Sequence, residues 1–387
     1  MSPMTAIIRA ASAHDLLALV PALAGFTPSR SLVCVAFTGT RTAGVLRHDL
    51  PADAGDHAAL VAVVIGTVCR MPGVDAIVPI VYTDATFREV GGLPERALLD
   101  LIADRAVHAG FQVKDALCQA GDGWASAFDS SAPAAGHPLA MVSNNAAARE
   151  AAGLADVEGG DQSGTMPPPD ARTAPALASA FGELRELRTA EQAMAGLGRL
   201  ADPIELVDSL LSAPRRSQPV RHLAWFLHLA SLPAIRDAMM LHIAFGRVVA
   251  DLALDASDAG SEDGPVPEAG MGVLGRARTT AGAMQAEVDD LLARLITGQT
   301  MLRPDRRRVE RAFRLIRGLV ADAPADARPG ACCIAAWLAW CLGRGSVAGS
   351  LLDAALEIDP GHTMARLLDE FIGSGALPDW AFIRDGR

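Results

Sequence analysis

The clearest periodicity lies near the start of the chain. Leu16, Leu17, Leu19, Val20 and Leu23 fill a broad apolar face at helical spacing. Ser12 and Asp15 form an S-x-x-D capping box ahead of that run, and Gly25 fits the left-handed position that ends a helix. Phe26-Thr27-Pro28-Ser29 has turn chemistry. Ser31–Phe37 is a continuous apolar, partly β-branched run, which predicts a strand buried on both faces. Gly39-Thr40-Arg41-Thr42 then turns the chain into a second strand, Ala43–Leu50, predicting a hairpin.

The alternation continues. A helix is expected over His57–Arg70 with Asp56 as its N-cap, then a strand over Asp75–Tyr82. Pro79 lacks the N–H that a ladder needs, so this strand is expected at an edge or a bulge. Thr83–Gly92 reads as a loop, Glu95–Ala109 as a helix with Pro94 at its start, Phe111–Gln119 as a strand, Gly121-Asp122-Gly123 as a tight turn and Trp124–Phe128 as a short returning strand. This α-β-β-α-β-α-β-β order predicts an α/β domain over residues 1–130, built on one mixed sheet with helices packed on it. If the strands flanking His57–Arg70 run parallel, that helix is a right-handed crossover.

Residues 131–174 break the pattern, with a Pro/Ala/Gly start and a polar GGDQSGTMPPPD stretch, and read as a linker or loop. Residues 175–387 read as helical: Pro175–Ala195, Asp202–Leu211, Pro219–Leu232, Ala234–Ala250, Met271–Gly298, Asp305–Val320, Pro329–Gly343, Ser346–Ile358 and Gly361–Gly373, with a polar insert at 255–270. Within 329–373, Ala348, Leu352, Ala355 and Pro360 fall at the spacing of the second helix of a tetratricopeptide repeat, although Ala336 and Ala339 stand where that repeat prefers glycine and tyrosine. The alternative is an ordinary helical bundle.

Several stretches match a known signature. Asp15-Leu16-Leu17-Ala18-Leu19-Val20-Pro21-Ala22-Leu23-Ala24-Gly25-Phe26-Thr27-Pro28, then Ser31-Leu32-Val33 and Asp49-Leu50-Pro51, resemble the opening of domain-of-unknown-function family 4192, common in actinobacteria. The resemblance continues at Asp122-Gly123-Trp124, at Ile235-Arg236-Asp237 and across about 305–380, and is weak between 130 and 215. It implies a shared fold and carries no assigned activity.

Composition narrows the function classes. Half of the chain is apolar, yet its most apolar uncharged stretches, His57–Cys69, His222–Ile235 and Pro329–Gly343, fall short of the roughly 20 residues a spanning helix needs. The start of the chain has no long apolar core before a small-residue cleavage site, so no signal peptide is expected. Net charge is −11 and pI about 5.3, which argues against a general nucleic-acid or anionic-membrane surface. The six cysteines, Cys34, Cys69, Cys118, Cys332, Cys333 and Cys341, form no C-x-x-C and read as free thiols in a reducing cytoplasm.

Catalytic signatures are weak. Gly270, Gly272 and Gly275 spell G-x-G-x-x-G, but no strand precedes them, so no cofactor is expected there. The histidines show no H-E-x-x-H; His222 and His228 lie six apart, and His242 sits on the next helix. There is no G-x-S-x-G elbow and no Walker A loop, and Cys34 sits on a strand expected to be buried. Strand ends in α/β sheets are where ligands collect. Gly25, Phe26, Asp49, Asp84 and Asp122 are therefore the ligand-pocket candidates, against the alternative that each aspartate caps a turn or pairs with Arg47. Arg303, Arg306, Arg307, Arg308, Arg311, Arg314 and Arg317 make one basic helix, read as a solvated face paired to nearby acids or as a docking site for an acidic partner. Arg236-Asp237 reads either as a buried pair locking helices or as a charged pair lining a cleft.

The first expectation is thus a non-catalytic cytoplasmic binding or scaffold protein whose helical domain contacts a protein partner or a second copy. The alternative is a small-ligand sensor or enzyme with its pocket at the strand ends. A DNA-associated regulator using the arginine helix is the weakest option. No cofactor, metal or membrane is expected.

Overall fold

The computed structural model describes residues 10–24, 28–149, 166–187, 192, 194–261 and 280–382. The chain divides into two compact units, Met1–Ser163 and Gly164–Arg387. The first carries a mixed sheet with packed helices, and the second is predominantly helical.

The first unit begins with α1 (Ala13–Ala24). Its capping box forms as the sequence predicts: the Asp15 carboxylate accepts from the Ser12 N–H at 3.1 Å, and the Asp15 N–H donates to Ser12 Oγ at 3.3 Å. Strands β1 (Ser31–Thr38) and β2 (Arg41–Asp49) form the expected antiparallel hairpin. Then come α2 (His57–Arg70), β3 (Ala76–Tyr82), α3 (Phe87–Val90), α4 (Arg96–His108), β4 (Gln112–Val113), β5 (Leu117–Gln119), β6 (Trp124–Ser126) and α5 (Ala140–Ser143). The sheet order is β2-β1-β3-β5-β6, with β4 also on β3. The β1 strand runs antiparallel to β2 and β3, β3 runs parallel to β4 and β5, and β6 returns antiparallel to β5.

Both faces of the sheet are covered. On one face, Leu32, Cys34, Ile77, Val81 and Cys118 pack with Val61 and Val64 of α2 and Leu98 and Ile102 of α4. On the other, Val33, Val35, Val78, Ile80 and Leu117 pack with Leu17 and Val20 of α1, and Leu139 and Val142 lie against them. Each such side chain fully buried is worth about 1.5–3 kcal/mol. The segment after β6 is thereby held on the sheet: His137 bridges to Trp124, and Asn145 Nδ2 donates to the His14 carbonyl at 3.3 Å.

The structure corrects the expectation for Pro79. The β3 strand is central, lying between β1 and β5. The Lys114 N–H bonds to the Ile77 carbonyl and the Thr83 N–H to the Gln119 carbonyl, so the odd-numbered residues of β3 aim their backbone groups at the β4/β5 side. Pro79 therefore turns its missing donor toward residues 114–116, the gap between β4 and β5. The same gap divides the single strand expected over Phe111–Gln119. Two smaller differences follow from local capping. Asp56 makes no side-chain cap on α2; Asp53 instead caps the short 3-10 turn Ala54–Asp56 before it, accepting from the Gly55 N–H at 2.8 Å. The loop expected at Thr83–Gly92 contains α3, because Thr86 and Glu89 form a capping box and Gly91 ends it at φ +72°.

The second unit contains α6 (Thr173–Glu186), α7 (Pro203–Ser212), α8 (Val220–Ala230), α9 (Pro233–Phe245), α10 (Arg247–Ser261), α11 (Thr280–Ile296), α12 (Arg306–Asp322), α13 (Arg328–Cys341), α14 (Gly345–Ile358) and α15 (Thr363–Gly373). The single helix expected over Ala234–Ala250 is two, broken at Gly246 with φ +92°. Asp202 and Asp305 cap α7 and α12 by accepting from the N–H groups two and three residues on. The core is organised around α13, which is buried from Pro329 to Trp340. Gly330 permits its approach to α8: a Cβ there would stand 2.0 Å from the Ala230 carbonyl oxygen. Trp337 and Trp340 donate to the Ile296 and Ala376 carbonyls at 2.7 and 2.8 Å. The Asp322 carboxylate, with a fully buried side chain, pairs with Arg215 and accepts the Asp170 N–H at 2.7 Å.

Candidate functional site

Strand pairing in the first unit builds a row across one end of the sheet. Asp49 pairs with Ser31, Ser31 with Tyr82, Tyr82 with Gln119 and Gln119 with Trp124. Paired residues point to the same face, here the α1 face shared with Val33, Ile80 and Leu117. At about 4.8 Å per strand step, Ser31 to Trp124 spans roughly 14 Å.

Three polar groups in this row are buried and have no hydrogen-bond partner: Ser31 Oγ, Tyr82 OH and Trp124 Nε1. Their residues are 0%, 4% and 5% exposed. An unpaired buried polar group costs about 1–3 kcal/mol, so native folds keep few of them. Burial also pushes the Tyr82 phenol well above its usual value, so it stays protonated and can donate. The Trp124 ring is held between two imidazoles, stacked on His137 at 4.7 Å and tilted against His14 at 5.9 Å between centroids. His14 in turn meets Ser12 Oγ at 3.2 Å, which ties the ring to the start of α1.

Around the row lie the aspartates named from the sequence. Asp49 takes Arg47 Nη2 at 2.6 Å, and Arg47 also donates to the Ser29 carbonyl at 3.3 Å. Asp84 is exposed and lies 4.0 Å from Arg30 Nε. Asp122 turns toward α3, accepting from the Phe87 and Arg88 N–H groups at 2.9 and 3.4 Å. The three share one end of the sheet, and each is engaged by a neighbour of its own. Gly25 and Phe26 lie outside the described residues. Gly121 and Gly123 allow the turn after β5 to close: a Cβ at Gly121 would stand 3.0 Å from the Asp84 carbonyl oxygen, and one at Gly123 as close to that of His137. Ser31 and Tyr82 were not named as site residues from the sequence. The available signals were a serine opening an apolar strand and the single tyrosine of the chain.

The other sequence candidates have their own surroundings. Arg236, 5% exposed, pairs with Asp237 at 2.9 Å; burial raises the Asp237 pKa against the pull of Arg236. Nearby, Cys333 Sγ lies 3.7 Å from His362 Nδ1, and burial pushes that thiol up to about 12, the opposite of a reactive thiolate. Most arginines of α12 lie on its exposed face, while Arg308 and Arg317 are half-buried. Arg308 Nη2 lies 2.6 Å from Asp208 Oδ1 and from His242 Nε2, and Arg311 donates to the Leu211 carbonyl at 3.4 Å. Arg303, Arg314 and Arg317 are also engaged. Burial, with Arg308 beside it, lowers the His242 pKa and keeps the imidazole neutral against the pull of Asp208. Gly270, Gly272 and Gly275 lie outside the described residues. Among the described residues, no group of three or more His, Cys, Asp or Glu side chains is placed to hold a metal ion, and no helix is long and apolar enough to cross a membrane.

The fold and this site define a two-unit protein: a mixed α/β sheet with a polar, unsatisfied row at one end, followed by a helical unit. The chain belongs to the family described as Domain of unknown function (DUF4192), whose profile matches residues 14–379 and so extends over both units. No curated protein and no solved structure matches it.

Proposed function

We propose that this protein binds a small polar molecule at the end of the sheet in its first unit. The observation that supports this most is the alignment of Ser31 Oγ, Tyr82 OH and Trp124 Nε1, three buried groups without partners in one row. A ligand offering acceptor atoms would remove a cost that the free fold carries. The reading is one of binding: Asp49 is occupied by Arg47 and Asp122 by backbone N–H groups, and Asp84 stands exposed beside Arg30, so no two of these carboxylates are paired as acid and base.

Partner docking through a tetratricopeptide-like groove in the helical unit ranks second. The helix that would line such a groove, α13, is buried along Pro329–Trp340, which takes its faces out of a partner's reach. The location we propose is the cytoplasm, where six free cysteines fit a reducing environment. The test is calorimetry or native mass spectrometry with the wild type and the Ser31→Ala/Tyr82→Phe variant. The proposal expects a small molecule on the first and none on the second. Equal binding to both, or none to either, defeats it.

A further inference from the structure

We propose that the ligand of this site carries an anionic oxygen group, a carboxylate or a phosphate, bound at the corner formed by Arg30, Ser31 and Tyr82. This rests on the small-molecule reading above and adds the chemical class.

Arg30 adopts φ +42°, in the left-handed region that favours glycine, immediately before β1. Its carbonyl accepts the Leu50 N–H at 2.9 Å, which holds the backbone in that conformation. The chain thus places an arginine where glycine would fit with less strain, and the side chain leaves β1 at the very end that bears the unsatisfied row. That side chain is 70% exposed, and the carboxylate of Asp84, 78% exposed, is 4.0 Å away. A contact so long and so exposed holds a guanidinium loosely. The neighbouring residue in sequence is Ser31, and the residue paired with Ser31 across the sheet is Tyr82.

Chain and strand neighbourhood therefore put one exposed, loosely held guanidinium at the same strand end as two buried neutral hydroxyls. Guanidinium N–H groups only donate, and both hydroxyls can donate as well. Such a donor set matches the lone pairs of a carboxylate or phosphate, with charge-assisted bonds from arginine. A cationic ligand would face Arg30, and the carboxylate within the row, Asp49, is taken by Arg47; Asp84, outside the row and held only by its long contact to Arg30, is the group an anion would displace. A neutral ligand would leave the arginine without a role.

The test uses the full chain and two probes, inorganic phosphate and acetate, each titrated at constant ionic strength against chloride and read by thermal unfolding and by amide chemical shifts of 30–33 and 80–84. The expected result is saturable binding of at least one anion. Arg30→Gly, which relieves the left-handed backbone and so keeps the fold, should weaken it at least tenfold, and Arg30→Lys should weaken it less. Preference for phosphate would assign a phosphate ester, and preference for acetate a carboxylic acid. Unchanged anion affinity in Arg30→Gly overturns the inference. So does the absence of a saturable response to either anion when native mass spectrometry finds a neutral or cationic molecule, an outcome that leaves the binding reading standing. A protein that takes neither anion nor any small molecule overturns both.

Discussion

Replacing Tyr82 by phenylalanine tests the row with a single atom. Tyr82 is 4% exposed, and its hydroxyl has no partner. The substitution keeps the ring that packs in the α1-side core and deletes only the oxygen. Removing an unpaired buried hydroxyl should return about 1–3 kcal/mol. The void left behind, about 10–15 Å³, costs about 0.3 kcal/mol at roughly 24 cal/mol per Å³. The expected net effect is a stabilisation of about 0.7–2.7 kcal/mol, or about three- to hundredfold slower exchange through a smaller open population at 1.4 kcal/mol per decade. A chain with two units need not unfold in one step, so amide hydrogen exchange of β1 and β3 is a better assay than a single melting temperature. The wild type offers an internal control, because Tyr82 is the single tyrosine: tyrosinate absorbance should be absent at pH 10.0, the usual phenol value, and appear on unfolding. Exchange in Tyr82→Phe that is unchanged or faster would show that the hydroxyl is already satisfied in the free protein, and the reasoning would fail.

Three further perturbations follow from the helical unit. Asp322→Asn breaks the buried pair with Arg215 and should cost about 3–5 kcal/mol, toward the lower figure because Arg215 is 20% exposed; an unchanged urea midpoint would refute the pairing. Gly330→Ala drives a Cβ to 2.0 Å from a backbone oxygen, so α8 and α13 must separate, at a cost of about 1–3 kcal/mol or more, read by the same assay. Burial lowers the pKa values of His222, His228, His242 and His362 below 6.5, so the unfolded chain binds more protons there. Their contribution is complete above pH 6.5 and is lost as pH falls through the folded values. The raised Asp237 acts in the opposite sense, and only as pH falls into the carboxylate range. The urea midpoint should therefore drop on acidification below pH 6.5, less so in His242→Gln, and a flat profile would contradict the assignment.

Much of the architecture was legible because it is local. The capping box of Ser12 and Asp15, the apolar run of β1 and the turn chemistry around Gly39 each act over a few residues, and they place α1 and the first hairpin correctly. Pro79 misled for an instructive reason. A missing donor excludes a central strand only if a neighbour asks for that donor, and the gap between β4 and β5 does not. The candidate site was half legible. Strand ends pointed to the end of the sheet that carries Asp49, Asp84 and Asp122 and also bears the unsatisfied row. Which groups are unsatisfied there depends on register, which sets Ser31 beside Tyr82 and Gln119 beside Trp124, and on the imidazoles of His14 and His137 that enclose the indole. None of these pairings leaves a periodic signal along the chain. The same holds for Asp208, His242 and Arg308, brought together from α7, α9 and α12.

The most direct test of the central claim is native mass spectrometry of the full chain purified gently from its own host, compared with the Ser31→Ala/Tyr82→Phe variant prepared the same way. The account predicts a bound anionic small molecule on the wild type and its absence from the variant. A wild type that carries nothing, or a variant that keeps the same molecule, would contradict it.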